Sequence, residues 1–119
     1  MAENDKVSVE VEGGSTYDEV LKTGKYKLSR PYKFGDGPEQ TVLNFPLKDM
    51  TGQHIRTAQA NYETVEGRAL PSLAETNKTY QAYVAAALLD VQPDFVFGLP
   101  VHDFTALTLS IQRFLLNWD

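Results

Sequence analysis

Phe104, Leu107, Ile111, Phe114, Leu115 and Trp118 follow Leu99-Pro100-Val101-His102-Asp103 at helical spacing. On a helix they fall within an arc of roughly 100°. That face has to be buried, so the rest of the chain must supply a layer to cover it. On the far side of the same helix Leu109 and Leu116, seven residues apart, form a second and thinner apolar line. A helix apolar on two sides has two solutions. It lies between two layers of its own fold, with Leu109 and Leu116 packed under the rest, or it offers one side to a partner.

The chain that must cover this helix is 119 residues long, enough for one domain that buries roughly two-thirds of its unfolded surface. Apolar residues make up 42% and charged residues 23%, the balance of a globular protein rather than a disordered one. The net charge of −5, with scattered Lys and Arg, disfavours non-specific binding to nucleic acid or to an anionic membrane, which needs a basic face. There is no cysteine, which excludes disulfides, thiolate nucleophiles, zinc–thiolate sites and iron–sulfur clusters. Met1 to Lys6 is polar and acidic with no apolar run behind it, unlike a signal peptide. No apolar run approaches the ~18 residues of a membrane span. The chain therefore reads as soluble and intracellular.

Residues 1–24 form an N-terminal arm. Val7, Val9 and Val11 alternate with Ser8, Glu10 and Glu12, the period of a half-buried strand, yet three valines bury little against the entropy of ordering. The arm is thus one short strand or a flexible segment. Ser15 to Thr23 suit a helical turn with Ser15 as cap and Gly24 as stop. Residues 25–119 read as a single α+β domain. Tyr26, Leu28, Tyr32 and Phe34 share one face of a strand and Lys25, Lys27, Ser29 and Lys33 the other. After Gly35-Asp36-Gly37-Pro38, Thr41, Leu43, Phe45 and Leu47 alternate again, so this is a β-hairpin. Pro31 makes its first strand an edge or interrupts it.

Three helices complete the expected architecture. The first opens at Asp49 or Thr51, buries Ile55, Ala58 and Tyr62, and fades near Glu63. Ser72-Leu73-Ala74-Glu75 matches a capping box and predicts a second helix to about Asp90, with Leu73, Tyr80, Val84, Ala87, Leu88 and Val91 along one side. Phe95-Val96-Phe97-Gly98 reads as an apolar bridge, too short for a helix, into the last one. The hairpin, with or without a third strand from the arm, should pack on this three-helix C-terminal region.

Catalytic equipment is hard to find. A metal site needs three or four converging ligands, often an i, i+4 pair, and neither His54 nor His102 has one; each reads as a surface or capping residue. Ser72 lacks a Gly-x-Ser-x-Gly elbow and serves as a cap. Asp90 and Asp94 flank a helix end, with no aromatic cleft beside them. Gly35-Asp36-Gly37 lacks the Gly-Lys-Ser/Thr of a phosphate loop. Tyr80 and Tyr83 fit an amphipathic stripe. The sequence thus predicts no enzyme and no cofactor. A chain with surplus apolar surface and no reactive groups most often works by binding another protein. Leu109 and Leu116, with nearby Phe95 and Phe97, are the candidate contact residues.

One family has this layout. A hairpin with a Lys-Phe-Gly-Asp-Gly turn leads into Leu47-Lys48-Asp49-Met50-Thr51-Gly52, a middle helix carries Tyr80 and Val84-Ala85-Ala86, and Leu99-Pro100-Val101-His102-Asp103-Phe104 opens a terminal helix ending Phe114-Leu115. Over roughly residues 25–117 the chain resembles the small tail assembly chaperones of contractile-tailed (Mu-like and P2-like) bacteriophages and prophages. The resemblance implies a non-enzymatic protein of the bacterial host cytoplasm that coats the long, helical tape measure protein during tail assembly and leaves as tube subunits polymerise. No catalytic residue carries over. The alternative is a structural virion component or another non-catalytic phage adaptor. A homo-oligomer is compatible with either.

Overall fold

A computed structural model describes residues 15–116, so the candidate strand at residues 7–12 and Trp118 lie outside the described residues. The elements run α1 (Tyr17–Thr23), β1 (Lys25–Lys33), β2 (Glu39–Asn44), a 3-10 turn (Leu47–Asp49), α2 (Gly52–Glu66), a second 3-10 turn (Ala74–Thr76), α3 (Lys78–Leu89), α4 (Pro93–Phe97) and α5 (Val101–Leu116). This is the α+β fold of a two-stranded antiparallel hairpin on helices. None of the described helices is long and apolar enough to cross a membrane.

The segment assigned to the N-terminal arm contributes α1, whose Val20 is fully buried. Thr16, not Ser15, caps it: Thr16 Oγ1 accepts from the Glu19 N–H at 3.2 Å while Glu19 Oε1 accepts from the Thr16 N–H at 2.8 Å. Gly24, at φ 72°, ends the helix, in a backbone region that favours glycine. Ser15 is drawn away to the sheet, where its Oγ accepts from the Lys27 N–H at 2.8 Å. The Lys25 N–H finds Thr23 Oγ1 at 3.1 Å and the Ser29 N–H finds Asp103 Oδ1 at 3.0 Å. Side-chain oxygens thus close the outer edge of β1 where a further strand would pair, and blunted edges resist pairing with other chains.

Tyr26 and Leu28 point into the core and Tyr32 and Phe34 are half-buried. The strand register slips between Lys27 and Tyr32, across Pro31, where the missing N–H breaks the ladder. Tyr32 and Phe34 then meet the Phe95 ring edge-on at 5.1 and 5.7 Å.

Helix α3 is the centre of the molecule. Tyr80 through Ala86 are all buried, because α2, α4 and α5 all pack against it. Its start corrects the sequence reading. The Ser72–Glu75 capping box does not form: Leu73 adopts a left-handed backbone (φ 55°) and is 76% exposed, and Ala74–Thr76 make a 3-10 turn. Asn77 caps instead, its Oδ1 accepting from the Tyr80 N–H at 2.8 Å. Two other boundaries also move. Helix α2 runs past Glu63 to Glu66, where Gly67 at φ 73° stops it. The bridge after Gln92 is itself one helical turn, α4, with Pro93 in its first turn, where the missing N–H costs nothing.

Candidate partner-binding face

Helix α5 is pinned from its inner side. Leu107 and Ile111 are fully buried, and so is Asp103. The Asp103 carboxylate accepts the Tyr26 hydroxyl at 2.6 Å, the Ser29 N–H at 3.0 Å and the Ser29 hydroxyl at 2.8 Å. It also sits in the first turn of α5, where the helix dipole favours an anion. Burial, together with the neighbouring Asp103 carboxylate, raises the Tyr26 pKa far above its usual value near 10, so Tyr26 is a firm donor at neutral pH. Further along, the buried Gln81 of α3 donates to Gln112 Oε1 at 2.7 Å. Lys78 reaches Thr108 Oγ1 at 3.2 Å and lies 5.9 Å from the centre of the Phe104 ring.

The other side of α5 faces out. Val101 is 78% exposed and Leu109 47%, and Leu116 is half-buried. Thr105, half-buried, lies between Val101 and Leu109 at i, i+4, i+8 spacing. Leu109 is therefore not packed under the hairpin. Val101 adds to this face although the spacing of the longer apolar series does not include it.

Phe97, in α4, is a further exposed apolar residue, set against the ring of Phe104. It is 42% exposed yet firmly seated: its ring lies 5.8 Å from Phe104 and 5.7 Å from Tyr83, which meets the buried Tyr62 at 5.6 Å. Tyr83 is fixed in turn by its hydroxyl, which donates to Glu66 at 2.8 Å; burial and that carboxylate push its pKa up to about 12. A large exposed ring backed by a rigid stack is the form that binding anchors take, since little side-chain freedom is left to lose. Phe95 departs from its expected role. It is buried where α4 meets the hairpin, with its carbonyl accepting the Tyr32 hydroxyl at 2.9 Å, so it holds the hairpin on the helices, away from the outer side of α5.

Along the outer side of α5, Leu109 thus follows Val101 by about 12 Å along the axis, with Leu116 beyond it. The face carries no acidic side chain; His102 and Arg113 border it, both exposed, and the Arg113 guanidinium lies 4.1 Å from the centre of the Tyr17 ring.

Elsewhere, a polar groove of about 420 Å³ runs between α2 and the end of α3, lined by Gln53, His54, Thr57, Asn61 and Asp90 among others. His54 Nδ1 accepts from the Thr51 N–H at 2.9 Å, closing the cap of α2, so this histidine is used structurally. Tyr80 and Tyr83 are core residues. Among the described residues no group of three His, Asp or Glu is placed to share a metal ion. No family model, curated protein or solved structure matches this chain.

Proposed function

We propose that this protein is a non-catalytic tail assembly chaperone, which holds a long helical tape measure protein in the bacterial host cytoplasm until tube subunits replace it. One observation carries this reading: α5 is locked to the core along one side and turns the exposed apolar residues Val101 and Leu109 outward on the other. A helical client with its own apolar stripe packs on such a line by i, i+4 contacts. A narrow line suits a protein that must later leave, because each contact is weak and many copies along one client supply the avidity.

The test is co-expression with a candidate tape measure protein, a very long and helix-rich chain. The client is expected to be soluble with the wild-type chain and to precipitate with Val101→Asp/Leu109→Asp, while that variant keeps a cooperative melt. A client soluble with both, or a variant that no longer folds, would remove the surface from the argument. Recovery of the protein in finished particles would point to a virion component instead.

A further inference from the structure

The hairpin is the basic pole of an acidic chain. Six of the eleven Lys and Arg, namely Lys22, Lys25, Lys27, Arg30, Lys33 and Lys48, fall between residues 22 and 48, against Asp36 and Glu39, although the whole chain carries −5. The register pairs Lys25 with Asn44 and Lys27 with Val42, and residues paired across two strands share a face. Tyr26 and Leu43 take the core side, so these four exposed side chains make the outward face of the sheet. Lys22 and Lys48 line, with Asn44, a groove of about 480 Å³ at the same end of the hairpin. Among the described residues no carboxylate pairs with these lysines; Lys25 Nζ turns instead to the neutral Asn44 Oδ1 at 2.8 Å.

A segment of opposite charge is attached beside this face. Residues 1–14 carry Glu3, Asp5, Glu10 and Glu12 against Lys6. Ser15 Oγ accepts from the Lys27 N–H at 2.8 Å, so the segment departs from β1 next to Lys27. By chain length Glu12 is at most about 11 Å and Glu10 about 18 Å from Ser15, and Lys25 and Lys27 are about 7 Å apart along their strand. Both pairs of charges are within reach. The near edge of β1 gives the segment no ladder to join, because Ser15, Thr23 and Asp103 oxygens already take the N–H groups of Lys27, Lys25 and Ser29. The outward face remains. We infer that the acidic residues 1–14 lie against the lysine face of the hairpin, with Glu10 and Glu12 at Lys25 and Lys27. Each exposed ion pair is weak and is screened by salt. Attachment at Ser15 compensates, since a short tether holds the segment at a local concentration on the order of millimolar. The segment is thus a tethered cover, and an acidic stretch of any other molecule reaches these lysines only by displacing it. The inference does not rest on the outer side of α5.

The absence of cysteine lets Ser8→Cys carry a single nitroxide spin label in the full chain, read by the paramagnetic broadening of backbone amide signals. Any segment tethered at Ser15 broadens its surroundings, so the comparison is between charged and neutral segments. With the native charges, the amides of Lys25, Lys27, Val42 and Asn44 are expected to be strongly broadened. Adding Glu10→Gln/Glu12→Gln to the labelled chain is expected to lower that broadening at least two-fold. Lys25→Gln/Lys27→Gln, at exposed positions, should do the same from the other side. So should about 1 M salt, where the screening length is about 3 Å; it acts on the unaltered charges and needs no variant to fold. Equal broadening with charged and neutral segments and in high salt would mean that the tether alone brings the label near, and would overturn the inference. Broadening centred on another surface would overturn it too. So would broadening of an isotope-labelled, spin-free chain mixed with the spin-labelled one, which would put the segment on a second molecule. Client solubility is a separate readout, so failure of the chaperone reading leaves these outcomes intact.

Discussion

The two sides of α5 differ more than any other two surfaces of the molecule. The inner side carries Asp103, Leu107, Thr108 and Ile111, all fully buried, and its carboxylate reaches 77 residues back along the chain to Tyr26. The outer side carries Val101 and Leu109, 78% and 47% exposed, with His102 and Arg113 at its border. Both sides are apolar in composition, so hydrophobicity alone does not separate a core face from a binding face. What separates them is the polar anchor. A buried carboxylate with three matched donors fixes which way the helix is turned, because a rotated helix would leave those groups buried and unpaired.

The largest effect should therefore come from the anchor. Asp103→Ala leaves the Tyr26 hydroxyl and the Ser29 N–H without their acceptor, a loss of about 3 kcal/mol, read as a lower denaturant midpoint in urea. Alkaline pH attacks the same contact from the other partner. The native state holds the Tyr26 proton more tightly than the unfolded chain, whose tyrosines titrate near 10. Stability is then fully present below pH 10 and is lost as the pH climbs through 10 toward 12 and beyond, because the native state binds the extra proton there. Tyr83, raised to about 12, adds to the same fall. Tyr26→Phe should make the decline above pH 10 shallower; an unchanged decline would show that Tyr26 is not what the alkaline transition senses.

How much of this was legible in the sequence follows from the range of each signal. The hairpin, the bodies of the three long helices and the two-sided last helix are written in local periodicity and stand in the structure, while the start of α3 and the end of α2 moved. Local signals failed where two of them competed. Ser72 and Asn77 both suit a helix cap, and a capping motif says nothing about which one the packing of Tyr80 and Gln81 will favour. Phe95 and Phe97, two residues apart, read alike, yet one is enclosed by Tyr32 and Phe34 and the other rests at the surface on Tyr83. Asp103 was invisible for a further reason: nothing within ten residues of it reveals that a tyrosine and a serine of the first strand will meet its carboxylate.

A smaller effect is expected where the hairpin meets α4. A Cβ at Gly98 would lie 2.5 Å from the Tyr32 hydroxyl oxygen, which donates to the Phe95 carbonyl. Gly98→Ala should therefore cost about 1–2 kcal/mol through a displaced ring and a lost hydrogen bond. Gly98→Ala in a Tyr32→Phe background tests the cause: with the hydroxyl gone, the glycine substitution should cost less than it does alone, and an additive loss would exclude the clash.

The smallest effect belongs to the outer face, and it is the most exacting for the comparison drawn above. Leu109→Ser removes an apolar side chain that is already 47% exposed, in the middle of a helix held by residues on its opposite side. Surface substitutions of this kind stay within about 0.5 kcal/mol of wild type, and serine lowers helix propensity by only a few tenths of that unit. Thermal and urea midpoints should both stay close to wild type. A loss of about 2 kcal/mol would mean that Leu109 packs against something in the folded chain, and the contrast between an anchoring side and an offered side would fail at its central residue. Stability that holds while client binding is lost would show that the apolar surface of α5 is kept for use rather than for folding.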